Sequence, residues 1–232
     1  MKHPRYLLSG LAMSMLIASG GAQAAGLSSE HKPFGKTNDG TAVEQYVLRN
    51  SHGMQATVIT YGGVLQSLQV PDKHGNVADV VLGFDDVQGY QAGTAFFGAT
   101  IGRFGNRLAG GAFELDGKRY QVPLNDGPNA LHGGAQGFDK HVWTATPVTA
   151  KDSVGVTLTY LSKDGEMAFP GNLKTEVTYR LNDNNESFLP TTANSANGKP
   201  YKATTGTSHE LGIKYQPPGS DGRKPISPSL DR

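Results

Sequence analysis

Two stretches in the middle of the chain alternate cleanly between apolar and polar residues. Val154, Val156, Leu158 and Tyr160 alternate with Gly155, Thr157 and Thr159. Leu173, Thr175, Val177, Tyr179 and Leu181 alternate with Lys174, Glu176, Thr178 and Arg180. A period of two places apolar side chains on one face of an extended strand and polar ones on the other, as in antiparallel sheet with one face buried. Strand formers also crowd residues 41–50, 55–70 and 77–84. Within 55–70 the pair Gly62-Gly63 marks a bulge or a close backbone approach. Residues 113–122 read as a hairpin, because Asp116-Gly117 supplies the positive φ of a tight turn and alternation flanks it. Residues 25–40 read as a polar lead-in, and no stretch beyond residue 25 sustains a helical period. The pattern predicts an all-β fold, an antiparallel β-sandwich.

Composition agrees with that pattern and narrows the chemistry. The chain has 232 residues, enough for one domain, and 31 glycines and 13 prolines, which suit a protein with many turns. A net charge of +1 argues against nucleic acid or an anionic membrane as the main partner, because both select basic patches. The absence of cysteine excludes disulfides, thiolate metal sites and cysteine nucleophiles. The N-terminus reads as a signal peptide over residues 1–24. Lys2 and Arg5 precede an apolar run from Leu7 to Ala18, and Ala22-Gln23-Ala24 offers small residues for cleavage. The run is short for a bilayer span, so the expected product is a periplasmic or secreted protein, free of the membrane after cleavage. After Glu186 the character changes. Residues 187–232 hold six of the 13 prolines and few large apolar residues, and read as an irregular tail.

Three polar segments could carry chemistry. Residues 98–107 set Arg103, Asn106 and Arg107 among glycines; such donors can bind hydroxyls in fixed directions. Residues 125–134 place His132 in a turn-rich stretch before two glycines, where it could reach a ligand and titrate near neutral pH. Residues 137–143 carry the chain's single tryptophan, Trp143. Taken alone, each has a plainer reading: a loop with solvated arginines, a surface histidine, a core tryptophan. The spacing fits no dinucleotide fingerprint. His132 and His141 have no carboxylate pattern to complete a metal site.

Together, and in this order, the segments resemble the aldose 1-epimerases, or galactose mutarotases. The resemblance rests on residues 97–111, on the Asp116-Gly117 hairpin, on Asn125 to Gly134, and on Gly137-Phe138-Asp139-Lys140 through Trp143. It extends upstream through Tyr61-Gly62-Gly63 and Val80 to Phe84, and downstream through Phe169-Pro170-Gly171-Asn172-Leu173 to Val177-Thr178-Tyr179. It covers roughly residues 31–186. It implies a large antiparallel β-sandwich and a cofactor-free interconversion of the α and β anomers of free aldoses such as glucose and galactose. Asn106, Arg107 and His132 fall on the family's sugar-holding positions, and His132 is the one catalytic candidate among them.

Two departures from the family set a second expectation. The family's general acid is a histidine in a later motif, which this chain lacks; His209, in Thr207-Ser208-His209-Glu210, has different flanks. The family's late glutamate base and a sugar-contacting aspartate have no counterpart either. The resemblance therefore implies a C-terminally incomplete sandwich over 25–186, such as a frameshift or early stop would leave. Three functions compete: an active exported mutarotase, a non-catalytic carbohydrate-binding remnant, and a fragment too exposed at its sheet edges to be stable. The N-terminal reading gives its own test. Expressed in a Gram-negative host, the mature chain should start at Ala25 in the periplasmic fraction, and N-terminal sequencing that finds Met1 on a cytoplasmic product would overturn it.

Overall fold

The computed structural model describes residues 26–93, 95–189, 191–195 and 211–214. Residues 1–24, read above as a signal peptide, and the rest of the C-terminal tail lie outside the described residues. The first sheet is an antiparallel meander of five strands in sequence order: β1 (Ser28–Lys36), β2 (Ala42–Arg49), β3 (Gln55–Ile59), β4 (Val64–Pro71) and β5 (Val77–Asp79). A short helix, α1 (Val87–Ala92), follows. Two small ribbons come next. β6 (Arg107–Ala109) pairs with β9 (Asn129–Leu131), and between them β7 (Ala112–Leu115) pairs with β8 (Lys118–Gln121). The second sheet holds β10 (Thr144–Thr149), β11 (Ser153–Ser162), β12 (Leu173–Asn182), β13 (Glu186–Leu189), β14 (Thr191–Ser195) and β15 (Leu211–Lys214).

The two large sheets face each other, as the alternation demands. Val154, Val156 and Leu158 of β11 and Leu173, Val177, Tyr179 and Leu181 of β12 point inward, against Tyr46 and Leu48 of β2, Val58 of β3 and Leu65, Leu68 and Val70 of β4. The β11–β12 register sets Val156 opposite Tyr179 and Leu158 opposite Val177, so the apolar faces of both strands coincide. Trp143 belongs to this core at 2% exposure, and its indole N–H donates to the Phe138 carbonyl at 3.1 Å. At one end of the sandwich Asn50 ties the sheets together: its amide donates to the Asn182 carbonyl at 3.0 Å and its oxygen accepts the Met54 N–H at 2.9 Å.

Several local expectations give way to tertiary structure. The supposed single strand 55–70 is two strands, β3 and β4, and Gly62-Gly63 sits in the turn between them with both φ positive. The bulge falls at Thr57/Val58, and of the two readings of the glycine pair the close backbone approach holds: a Cβ on Gly62 would stand 2.7 Å from the Asp139 carbonyl oxygen. The polar lead-in forms an edge strand, β1: its backbone pairs with β2 while most of its side chains face water, so its composition needs no apolar face. The strand expected over 77–84 stops at Asp79, whose carboxylate accepts the N–H groups of Leu68 (3.0 Å) and Val81 (3.1 Å) and ends the ladder. Helix α1 is too short to show a period. It starts because Asp86 caps the Gly89 N–H at 2.7 Å. In the proline-rich tail, every residue from 187 onward that the structure describes lies in a strand, where an irregular tail was expected.

Leu158 is fully buried between the sheets. Leu158→Ala should lower unfolding free energy by about 2–5 kcal/mol, read from urea denaturation followed by circular dichroism.

Candidate functional site

Residues 98–107 and 132–138 are far apart in sequence and lie against each other in space. The Phe138 N–H donates to the Gly102 carbonyl at 3.2 Å, which holds the two loops backbone to backbone. Gly133 makes this possible: a Cβ there would stand 1.9 Å from the Gly102 oxygen, and its φ is +89°. The β6–β9 ribbon completes the alignment. With Arg107 opposite Leu131, the next pair along the ladder is Asn106 and His132.

These two residues bond to each other reciprocally. The His132 backbone N–H donates to the Asn106 carbonyl at 3.1 Å, and the Asn106 backbone N–H donates to Nδ1 of the His132 ring at 3.0 Å. In the neutral imidazole that leaves the ring proton on Nε2, so His132 offers a directed N–H donor to whatever approaches. Both residues sit in the left-handed region, Asn106 at φ 62° and His132 at φ 53°. Non-glycine residues seldom adopt that conformation, and such strain gathers at functional sites.

Arg107 stands beside them. Its Nε donates to Asp126 Oδ2 at 2.7 Å, and its Nη1 donates to the Asn106 side-chain oxygen at 3.4 Å. The bridge is exposed, with side-chain exposures of 56% and 33%, so it aims the guanidinium and adds little stability. Asp126 is itself placed by a turn closed through Asn129, while the Asn125 carboxamide grips both backbone groups of Leu131. The edge of the Phe96 ring meets the His132 ring, with centroids 4.5 Å apart.

The structure thus brings Asn106, Arg107 and His132 together on an open face. It sends Arg103 elsewhere. Arg103 donates to Ser162 Oγ at 2.7 Å and to the carbonyls of Pro170 (2.9 Å), Ser162 (3.0 Å) and Lys163 (2.8 Å), which anchors the loop that carries Asn106 to the second sheet. His141 also faces away. It stacks on Tyr160 at 4.6 Å, and its Nε2 lies 3.8 Å from Glu166 Oε1. Burial, then the hydrogen bond to Glu166, pushes the Tyr160 hydroxyl far above its ordinary range and keeps it neutral. Sequence reasoning missed Asp126, Phe96 and Glu166. Asp126 sits inside the quoted 125–134 motif, yet only the β6–β9 pairing brings it to Arg107. A groove of about 650 Å³ is not lined by Asn106, Arg107 or His132; one of its lining residues, Lys140, has its ammonium 5.6 Å from the Phe96 ring centre.

The glycine contact and the ion pair should respond differently to mutation. Gly133→Ala should cost more than about 2 kcal/mol of stability, because backbone must move to admit the methyl group. Asp126→Ala should change stability by less than about 1 kcal/mol. Urea unfolding of both variants distinguishes a packing constraint from an orienting charge.

Comparison with known proteins identifies the family. The family model for aldose 1-epimerase covers residues 44–207, past the point where the quoted motifs stop. The galactose mutarotase of Rattus norvegicus is 40% identical over 178 residues, which are 77% of this chain and 50% of that protein. The aldose 1-epimerase of Escherichia coli K12 is 38% identical over 147 residues, 63% of this chain and 42% of that one. Among solved structures, the galactose 1-epimerase of Lactobacillus acidophilus superposes with a TM-score of 0.65 at 30% identity, over 73% of this chain and 49% of that chain. The chain spans about half the length of the relatives it matches. With its sandwich, its motif order and a family match over most of its length, this chain belongs to the aldose 1-epimerase family.

Proposed function

We propose that the chain binds a free aldose at Asn106, Arg107 and His132, and that the chemistry of this site is anomer interconversion. The reciprocal Asn106–His132 hydrogen bonds carry the reading. They fix an imidazole N–H beside a carboxamide and a guanidinium, three directional donors on one exposed corner. Such donors suit the oxygens of a pyranose. The Nε2–H of His132 can polarise a ring oxygen, Asn106 can take or give a hydrogen bond to a hydroxyl, and Arg107 can hold a second hydroxyl while Asp126 fixes its angle. The glucose- or galactose-type substrate comes from the family. Export to the periplasm, by way of the segment 1–24, belongs to the same proposal.

Binding is better supported here than turnover. Mutarotation removes a proton from the anomeric hydroxyl and delivers one to the ring oxygen; the ring opens, the aldehyde end rotates and the ring closes. Each positioned proton transfer typically contributes on the order of 10²–10⁴-fold. Arg107 is permanently charged and Asn106 does not titrate. Of these three, only His132 can carry a proton, and its Nδ1 is already engaged by the Asn106 N–H. One carrier does not serve two sites at opposite ends of the anomeric centre.

The expected outcome is therefore measurable sugar binding with little or no catalysis. Saturation-transfer NMR should detect D-glucose or D-galactose on the purified chain, with loss of signal in His132→Ala. Polarimetry on freshly dissolved α-D-glucose should show equilibration close to the uncatalysed rate. Fast, concentration-dependent equilibration that disappears in His132→Ala would show instead that a second acid–base group acts with it.

A further inference from the structure

The connection between β11 and β12 holds strained backbone of its own. Met167 at φ 47° and Ala168 at φ 65° lie in the left-handed region. Among the described residues they are the one adjacent pair of non-glycine residues to do so. Side chains with a Cβ resist that conformation, and it persists only where the surroundings over-determine it. Here they do. The Glu166 carboxylate accepts the Tyr160 hydroxyl at 2.7 Å and the Ser162 hydroxyl at 2.9 Å. The Ala168 N–H donates to the Gly165 carbonyl and the Phe169 N–H to the Glu166 carbonyl, both at 2.9 Å. Arg103 grips the flanks through the carbonyls of Lys163 and Pro170.

The side chain this conformation presents is Met167. It is half-buried and packs against the small cluster of Val122, Ala130 and Phe169. It also lies against Gly134, where a Cβ would stand 2.9 Å from the Met167 sulfur. Ala130 and Gly134 are the residues two before and two after His132. Between them the Gly134 N–H donates to the Leu131 carbonyl at 3.0 Å and closes a turn. His132 and Gly133, at φ 53° and 89°, take the two left-handed places of that turn. Gly133 and Gly134 have no side chains with which to anchor it. Met167 supplies an apolar contact from outside, and an unbranched thioether fits such an irregular gap.

We propose that Met167 is a positioning residue for His132. The strained segment 166–168 seats its side chain behind the Leu131–Gly134 turn, so that the imidazole keeps Nδ1 on the Asn106 N–H and leaves Nε2–H for the sugar. The inference rests on the aldose reading above and deepens it: sugar affinity depends on an apolar side chain that acts through the turn.

NMR of the whole chain tests it. Long-range proton–nitrogen spectra show which ring nitrogen of His132 carries the proton, its signals being those lost in His132→Ala, and titration with D-glucose gives the affinity. In Met167→Ala the single Nε2–H tautomer should give way to averaged ring signals. The glucose dissociation constant should rise roughly three- to tenfold, the loss of about one directed hydrogen bond. Met167→Leu, of similar volume, should restore both. Ala168→Gly should raise the melting midpoint by about 1–3 °C, because glycine takes the same φ at lower cost. An unchanged or lower midpoint overturns the strained-loop premise and the proposal with it. A Met167→Ala chain that melts earlier but keeps the His132 tautomer and the glucose affinity marks a packing residue only and overturns the proposal. So does a leucine variant that behaves like the alanine one. If the unmodified chain binds no glucose, the aldose reading fails, and the His132 tautomer in Met167→Ala still decides the positioning role.

Discussion

Close backbone contact at two glycines underlies the site. Gly62, in the turn between the third and fourth strands, accepts the Thr100 N–H at 2.9 Å and donates to the His141 carbonyl at 2.8 Å. It thereby holds both motif loops against the end of the sandwich. A Cβ there would lie 2.7 Å from the Asp139 carbonyl oxygen, and its φ is +65°. Gly133 performs the next step by letting the histidine loop rest on the Gly102 carbonyl. Once these two contacts exist, the short pairing of β6 with β9 leaves Asn106 and His132 opposite each other. The sandwich provides the floor, and the glycines set how near the loops come to it.

Stability and function draw on different residues of the same motifs. Arg103 and Arg107 lie four positions apart in one loop and do opposite work. Arg103 turns inward and satisfies backbone carbonyls at the end of β11 and in the connection to β12, where its charge-assisted bonds hold the loop in place. Arg107 turns outward and is aimed by an exposed carboxylate. Phe138 and Trp143 pack edge to face in the core, while Asp139 and Lys140 between them form an ion pair at the groove. The left-handed backbone at Asn106 and His132 is held by their mutual hydrogen bonds. Its strain is offset by a large apolar core elsewhere, which is how folds commonly maintain a strained site.

Much of the fold was legible in the sequence, because burial of one sheet face imposes a period of two. Residues 154–160 and 173–181 show that period without interruption, and both are central, antiparallel and inward-facing as it requires. Legibility failed where side-chain pattern does not govern structure. The first strand is an edge strand made by backbone pairing, so its polar side chains concealed it. The strand expected over 77–84 was cut short by a single aspartate side chain taking ladder N–H groups. Helix α1 has six residues, fewer than two turns, and depends on one cap.

The sequence by itself determined the sheet-rich class, the family and three residues of the candidate site, because alternation and motif order are local properties of a chain. It also marked the glycines, though without saying what each one admits. Only the tertiary structure decided which polar residues meet. Asn106 reaches His132 across 26 residues, Arg107 reaches Asp126 across 19, and Arg103 reaches Ser162 across 59. No sequence period encodes such pairs. They follow from how two loops settle on a sandwich whose core was fixed first, since hydrophobic burial is non-directional and leaves the hydrogen-bond partners to be chosen by geometry.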